Sequence, residues 1–444
     1  MIALALLAAA ATSCSPAGDW DGSLTVPAGI QLPLILHLKD TGSTIDSPDQ
    51  GARGISIDVT ATGNSLLVVI PSTKAQFTGA ISTDCSTLTG PFRQSGMEMK
   101  ASFKRRPAGA AAPAISRPQT PQPPFPYDAS DVSIIDGALT LAGTLTMPKG
   151  TGPFPAVVMI AGSGPQNRDE TVDGHRIFLV IADRLTRQGV AVLRYDKRGV
   201  GKSSGSYANA TQRDFTADAT AALRWLRQQP FVDAARVGLL GHSEGAEIAP
   251  AVAGADRKVA FTVLLSAPAE TGIETIASQA NAIALANGVS AATATVNDAL
   301  ERRLLAAVAA APDSIAAENA ATDILIKAGM PTDRAVVKAE GLASPWYRAF
   351  LNDDPLPALK TLTVPTLVIA GSKDLQVLPG RNLPLIRRAL AGNKNAKIVE
   401  LPGLNHLLQP ATTGSPSEYG TITTTVAPKA LDLMIDWIRS VVKI

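Results

Sequence analysis

The sequence has few of the residues that build disulfide frameworks and metal centres. It contains two cysteines and four histidines in 444 residues. Two cysteines exclude a disulfide-rich scaffold and a zinc site built from cysteines. Any acid–base role for imidazole must therefore fall on one of four side chains, which are His37, His175, His242 and His406.

A surplus of either charge is also lacking. Lys+Arg number 40 against 38 Asp+Glu, which gives a formal net charge of +2. A nucleic-acid partner requires a basic surplus or a dense basic patch, and the densest basic cluster, residues 104–106, is short and ends at a proline. We therefore expect no nucleic-acid partner. The hydrophobic fraction of 45% is enough for a large core and excludes wholesale disorder.

The apolar run over residues 1–11 is too short to span a bilayer as a helix. It resembles the apolar region of a secretory signal, and residues 11–14, Ala-Thr-Ser-Cys, resemble a bacterial lipoprotein cleavage box. We therefore expect export to the periplasm or attachment to the outer membrane through a lipidated Cys14. An ordinary cleaved signal and a Cys14–Cys85 disulfide remain alternatives. The sequence does not indicate an oligomeric state.

Residues 20–105 have the pattern of a small all-β domain. Stretches such as Gln31–Leu38, Ile55–Thr60 and Ser65–Ile70 are rich in apolar and β-branched residues and are separated by turn residues. This pattern predicts a small barrel or sandwich of antiparallel strands. Residues 106–127 are proline-rich and predict an extended linker, which follows the signal-like segment 1–14 and the β domain.

Short apolar runs alternate with helical patterns from residue 128 to residue 444. The runs predicted as strands are 156–161, 190–195, 237–240, 259–265, 365–370 and 397–401, and the main predicted helices are 177–188, 215–229, 246–253 and 431–442. This alternation predicts a mainly parallel sheet with helices on both faces. In such sheets the reactive loops lie at the carboxyl ends of the strands.

One block, residues 269–356, interrupts this alternation. It is rich in alanine, has several helical patterns, and contains no convincing strand. Because it lies between two predicted strands, we expect a helical lid over the mouth of a pocket. Helices that only stabilise the domain are the alternative.

A strand-to-helix turn carries the candidate nucleophile. Residues 241–245, Gly-His-Ser-Glu-Gly, fit the pattern G-x-S-x-G, with a predicted strand before and a predicted helix after. Such a tight turn needs glycine on both sides of the serine. Ser243 is therefore the predicted nucleophile.

A serine nucleophile needs a base, and the base needs an orienting carboxylate. His406 follows the last predicted strand and Asp374 follows the strand before it, so both lie at the same sheet edge. His242 is adjacent to Ser243 and should point away from its hydroxyl. His37 falls in the β domain, and His175 is expected at a helix entry or on the surface. The order Ser243, Asp374, His406 is the order of α/β-hydrolases.

The developing oxyanion needs two preorganised donors. We expect one to be the backbone N–H of Glu244, the residue after the nucleophile. The second is expected from the loop after the strand 156–161, as the N–H of Ser163 or Gly164.

These motifs together resemble the EstD-like carboxylesterases, two-domain bacterial α/β-hydrolases. The resemblance runs from about residue 136 to the C-terminus and is carried by residues 162–170 (GSGPQNRDE), 194–203 (RYDKRGVGKS), 241–245, 371–374 (GSKD) and 404–409 (LNHLLQ). It implies hydrolysis of a small-molecule carboxylic ester by Ser243, His406 and Asp374, with neither a metal nor an organic cofactor. The charged residues of the first two segments are expected to pair with each other and fix the oxyanion loop.

Three functions compete on this evidence. The leading hypothesis is a serine carboxylesterase that works through an acyl-enzyme. A serine peptidase of related fold is the second, and a non-catalytic binding protein of the cell envelope is the third.

Overall fold

The computed structural model describes residues 14–25, 31–47, 52–73, 75–94, 97–107, 110 and 117–444. The predicted signal-like segment lies outside the described residues, apart from Cys14. The chain divides into two compact units, residues 1–114 and 115–444. The later part of the predicted linker lies in the second unit, where Arg117 and Gln119 hydrogen-bond backbone carbonyls of residues 420–426. Among the described residues, no helix is both long enough and apolar enough to cross a bilayer.

The first unit is one antiparallel sheet. Its strands are β1 (Gly18–Thr25), β2 (Gln31–Leu38), β3 (Thr44–Ser47), β4 (Ala52–Ser56), β5 (Asp58–Thr62), β6 (Ser65–Ile70), β7 (Ala75–Ile81), β8 (Thr87–Gln94) and β9 (Met97–Arg105). Their order is β4-β3-β2-β1-β9-β8-β7-β6-β5. Side chains of β7 alternate strictly between buried and exposed, as expected when one face covers a core. Among the described residues these strands form one nine-stranded sheet with a single apolar core.

Cys14 and Cys85 form a disulfide. Of the three alternatives for Cys14, which were lipidation, removal with a cleaved signal and a disulfide, the structure contains the disulfide. Cys14 is buried in the apolar core of the first unit, and its backbone N–H donates to the side chain of Asn64. The bond joins residues 71 positions apart and thus closes most of this unit into a loop.

Loss of this crosslink should destabilise the first unit. Closing a loop of this length removes conformational entropy from the unfolded chain, and such bonds typically contribute about 2–4 kcal/mol. We expect Cys85→Ser to lower the unfolding free energy of the first unit by that amount, measured by urea unfolding of the full chain. Wild-type protein unfolded under a reductant is the matched control and should behave as the variant does. Unchanged unfolding in both would contradict a stabilising role for the disulfide.

The second unit is built on an eight-stranded mixed sheet. Its strands are β10 (Asp128–Asp136), β11 (Leu139–Met147), β12 (Phe154–Ile160), β15 (Ala191–Tyr195), β16 (Val232–His242), β17 (Thr262–Leu265), β18 (Thr366–Gly371) and β19 (Ala396–Leu401), and β13 (Thr171–Val172) with β14 (His175–Arg176) form a separate small ribbon. The order in the large sheet is β10-β11-β15-β12-β16-β17-β18-β19. The first two strands are antiparallel to their neighbours, and the others run parallel.

Helices cover both faces of this sheet. Helices α1 (Ile177–Arg187) and α11 (Pro428–Val442) pack on one face, and α2 (Gln212–Arg227), α3 (Glu244–Ala255) and α10 (Pro379–Ala389) pack on the other. Successive residues of β12 alternate between the two cores: Val157 and Met159 join one, and Val158 and Ile160 join the other. The predicted α/β-hydrolase fold is confirmed.

The predicted insertion is helical. Between β17 and β18 lie α4 (Gly272–Ala286), α5 (Ala291–Ala310), α6 (Ser314–Lys327), α7 (Thr332–Leu342), α8 (Pro345–Leu351) and α9 (Leu356–Lys360). Several of these helices begin at residues whose side chains accept a backbone N–H of the first turn, as Thr271, Ser290, Asp313 and Ser344 do, and this is the common signal for a helix start. The helices enclose a small core of their own, rich in alanine and leucine.

Candidate active site

Ser243 sits on a strained turn between β16 and α3. Its backbone has φ +52° and ψ −119°, a conformation that non-glycine residues rarely adopt. A Cβ at Gly241 would lie 2.0 Å from the carbonyl oxygen of Gly245, and one at Gly245 would lie 1.9 Å from that of Ile160. Both glycines of the motif are therefore required by close backbone contacts, which present the serine at the carboxyl end of the sheet.

Asp374 and His406 are joined by a hydrogen bond. His406 Nδ1 lies 2.8 Å from Asp374 Oδ2, and the two side chains are 6% and 0% exposed. The other carboxylate oxygen, Oδ1, accepts the backbone N–H groups of Gln376 and Val377, each at 2.8 Å. Asp374 is therefore held from three directions, and Nε2 is the nitrogen of His406 that remains for proton transfer.

The loops that carry these two residues pack directly against each other. If residue 371 had a side chain, its Cβ would lie 2.2 Å from the carbonyl oxygen of Leu404. Glycine at this position therefore permits the two loops to approach each other closely. The side chain of Asn405 accepts the backbone N–H groups of Leu407 and Gln409 and thereby shapes the turn around His406.

Ser243 and His406 line one cavity, of about 330 Å³. Within the part of the chain that the structure describes, the Ser243 hydroxyl makes no hydrogen bond. Bonds of this kind commonly tighten only in the complex with substrate. Apolar side chains in the described lining include Val172, Ile276, Trp346 and Phe350, polar ones include Gln166, Gln279 and Gln376, and neither lysine nor arginine is among them.

Two of the three residues predicted to donate to the oxyanion, Glu244 and Ser163, line the same cavity. Glu244 is the first residue of α3, where backbone N–H groups have no acceptor within the helix. Ser163 lines the cavity, whereas Gly164 is not among the residues that line it. The N–H of Gly162 donates to Glu170 Oε1 at 2.6 Å. Of the two N–H groups considered in this loop, that of Ser163 is therefore the better placed.

Opposite charges fix the loop that follows β12. The guanidinium of Arg168 binds both carboxylate oxygens of Asp196, at 3.1 and 2.8 Å. Burial alone would raise the pKa of Asp196, but its bonds to Arg168 lower it below its ordinary value. Asp169 pairs in turn with Arg194 and Arg176. The two charged segments thus pair with each other, as the sequence predicts.

Glu244 connects the nucleophile turn to the helical insertion. Its Oε1 accepts the indole N–H of Trp346 at 2.7 Å, and its Oε2 lies 2.6 Å from Lys197 Nζ. The Lys197 ammonium also lies 4.5 Å from the ring centre of Phe215. Trp346 belongs to α8, so the insertion is fastened to the residue that carries a predicted oxyanion donor.

The other histidines have partners of their own. His175 precedes α1 but is fully buried, with its nitrogens 3.0 Å from Thr425 Oγ1 and 3.0 Å from the carbonyl oxygen of Tyr419. Of the two positions expected for it, the helix entry is observed and the surface is not, because partners from a distant segment of the chain enclose the ring. Burial lowers the pKa of His175 to about 4, so it is neutral at pH 7. His37 lies between two carboxylates of the first unit.

Sequence reasoning missed one residue beside the site. In the sequence, Glu170 stands out only as part of the segment 162–170. In the structure it is 1% exposed and lines the cavity, and its Oε1 is hydrogen-bonded to both Gly162 and His242. No local pattern signals this pairing across 72 positions. Among the described residues there is no cluster of His, Cys, Asp or Glu suited to hold a metal ion.

Proteins named as esterases are among those to which this chain is similar. The chain is 30% identical over 285 residues to esterase EstD of Thermotoga maritima, with 64% of this chain and 61% of that protein aligned. It is 34% identical over 115 residues to esterase FrsA of Klebsiella pneumoniae, which covers 26% of this chain and 25% of the relative. An esterase structure from Pyrococcus furiosus aligns with 71% of this chain and 91% of its own, at 15% identity and a TM-score of 0.44. The chain thus spans about three fifths of the length of EstD, and the predicted resemblance to EstD is confirmed.

A family match covers more than half of the chain. Residues 136–400 match the family described as X-Pro dipeptidyl-peptidase (S15 family). The matched range contains the nucleophile turn and Asp374, and it ends shortly before His406. The chain therefore belongs to the S15 family.

Proposed function

We propose that this protein is a serine carboxylesterase that cleaves small uncharged esters through an acyl-enzyme. The observation that carries the proposal is the hydrogen bond of 2.8 Å between Asp374 and His406 beside a cavity that Ser243 also lines. The names of EstD and FrsA support an esterase. The cavity volume of about 330 Å³ lies at the small end of the range for ligand pockets, and its lining offers no lysine or arginine to hold an anionic substrate.

In this mechanism Ser243 Oγ attacks the ester carbonyl carbon while His406 Nε2 takes the hydroxyl proton. Asp374 stabilises the imidazolium and keeps its Nδ1–H directed at the carboxylate. The N–H groups of Glu244 and Ser163 stabilise the oxyanion. The proton passes to the leaving alcohol, and water then attacks the acyl-enzyme with His406 again as the base.

The second candidate is a dipeptidyl-peptidase, and the family match favours it. Peptide bonds have a poorer leaving group than esters, so a peptidase must protonate the departing amine efficiently. The chemistry of the three side chains is the same for both reactions, and the difference lies in the fit of the substrate.

A paired assay separates the two functions. Purified protein is offered p-nitrophenyl acetate and butyrate beside an Xaa-Pro p-nitroanilide, and kcat/KM is measured for each. We expect ester turnover to exceed anilide turnover clearly. Anilide turnover equal to or above ester turnover would refute the carboxylesterase proposal and support the peptidase.

We also propose that the protein is exported. The signal-like N-terminal segment and the Cys14–Cys85 disulfide support this, because disulfides persist in oxidising compartments. A sulfur bonded to Cys85 cannot also carry a thioether-linked lipid, so the disulfide favours a periplasmic protein over an outer-membrane lipoprotein. The intact mass of the mature protein, taken without reductant, should lack a lipid; a diacylglycerol adduct would contradict this.

A further inference from the structure

A second contact between a carboxylate and an imidazole involves His242, the residue that precedes the candidate nucleophile. His242 Nδ1 is 2.9 Å from Glu170 Oε1, and His242 Nε2 is 3.1 Å from the backbone carbonyl oxygen of His406. The two side chains are 5% and 1% exposed. Because both ring nitrogens are engaged, His242 is not available as the base for Ser243.

The partners of His242 determine its protonation. The carbonyl oxygen of His406 can only accept, so Nε2 must carry a proton. Glu170 Oε1 already accepts the N–H of Gly162, and it is also the acceptor for Nδ1–H. Burial lowers the pKa of His242, but the charge and hydrogen bond of Glu170 and the His406 carbonyl raise it overall. These contacts favour the protonated form of His242, bonded through Nδ1 to the carboxylate of Glu170.

We infer that Glu170 and His242 are positioning residues that lock the oxyanion loop and the backbone of His406 into one arrangement around Ser243. This inference rests on the proposed function. Glu170 holds the N–H of Gly162, which directly precedes Ser163 in the wall of the cavity. His242 holds the His406 carbonyl, which also accepts the Ser266 hydroxyl at 2.8 Å, and the two imidazole rings lie 4.9 Å apart.

Stability alone is a poor reason for such a pair. Removing two charges from water costs free energy that their attraction often does not recover. Glu170 Oε2, moreover, is buried and has no hydrogen-bond partner among the described residues, so half of the carboxylate is unsatisfied. A positioning role explains why the pair makes one hydrogen bond to the loop of Gly162 and another to the loop of His406.

Three single variants separate these connections. His242→Asn keeps a donor near the Nδ1 position, facing Glu170, and loses the contact with His406. His242→Gln keeps a donor near the Nε2 position and loses the contact with Glu170. Glu170→Gln keeps an acceptor for Gly162 and removes the charge. We expect each to lower kcat for ester hydrolysis roughly 10–100-fold, since displacements near 1 Å can cost about 10²-fold.

The split between kcat and KM distinguishes positioning from packing. KM should stay within about two-fold of the wild-type value, because a positioning role acts on interactions that strengthen in the transition state and not on uniform binding of the substrate. Active sites are titrated with a fluorophosphonate, so that kcat refers to competent molecules. The double variant Glu170→Gln/His242→Gln should lose much less than the product of the single losses, because the residues act as a pair.

His37→Asn is the matched control. It removes an imidazole that lies between Asp19 and Asp46 in the first unit and should leave kcat unchanged. Wild-type kcat retained by all folded single variants, or single losses that multiply in the double variant, would overturn the inference. Failure of the proposed function would look different, because the wild-type protein itself would then hydrolyse no ester.

Discussion

Replacing Ser243 with alanine is expected to lower kcat for ester hydrolysis by roughly 10⁵–10⁶-fold, with the fold retained. The hydroxyl is the attacking atom in the proposed mechanism, and methyl cannot replace it. The turn itself should survive, because its geometry depends on Gly241 and Gly245 and not on the serine side chain. Turnover of p-nitrophenyl acetate and far-ultraviolet circular dichroism, measured on the same sample, check both statements.

The companion variant His406→Ala should lose nearly as much, and the double variant should be little worse than either single variant. Residues that act as a unit in one step show such non-additive losses. Ser440→Ala, near the end of α11, is the control for serine replacement and should keep wild-type kcat. Independent, multiplying losses at positions 243 and 406 would contradict a shared proton transfer.

Asp374→Asn is expected to lower kcat by about 10⁴-fold while changing the structure little. Oδ1 of Asp374 accepts two backbone N–H groups, so the carbonyl oxygen of an asparagine should take that position. Its NH₂ group then faces His406 Nδ1 as a donor. The imidazole is forced into the tautomer with its proton on Nε2 and can no longer accept the proton of Ser243.

Asp183→Asn is the matched control for that variant. Asp183 is a mostly buried carboxylate of α1 that binds Tyr127 and Arg187, and its replacement should leave kcat unchanged. A loss below about ten-fold at position 374 would fall far short of a wrong-tautomer effect and would refute the assigned role.

Local patterns predicted the elements that are apolar and regular. The strands Gln31–Leu38 and Ser65–Ile70 were predicted at their observed bounds, because apolar residues mark them against polar turns. The strands β10 and β11 were not predicted, since six of the nine residues of β10 are exposed and β11 mixes apolar residues with threonine and glycine. The place of β10 at the sheet edge depends on pairing with β11, which only the tertiary structure specifies.

The site divides in the same way. The turn around Ser243 and the loops of Asp374 and His406 were predictable, because each follows an apolar strand and parallel strands end at one sheet edge. The burial of His175 and the pairing of Glu170 with His242 were not, because their partners lie far away in the sequence. The disulfide was only one of three alternatives, since two cysteines do not by themselves specify a bond.

The most direct test of the central claim is covalent labelling of the intact protein with a fluorophosphonate, followed by peptide mass mapping. We predict one adduct per chain, located on Ser243, with labelling strongly slowed in His406→Ala. An unlabelled protein would point to a non-catalytic binding function, and an adduct on another serine would place the nucleophile elsewhere; either result would contradict the account.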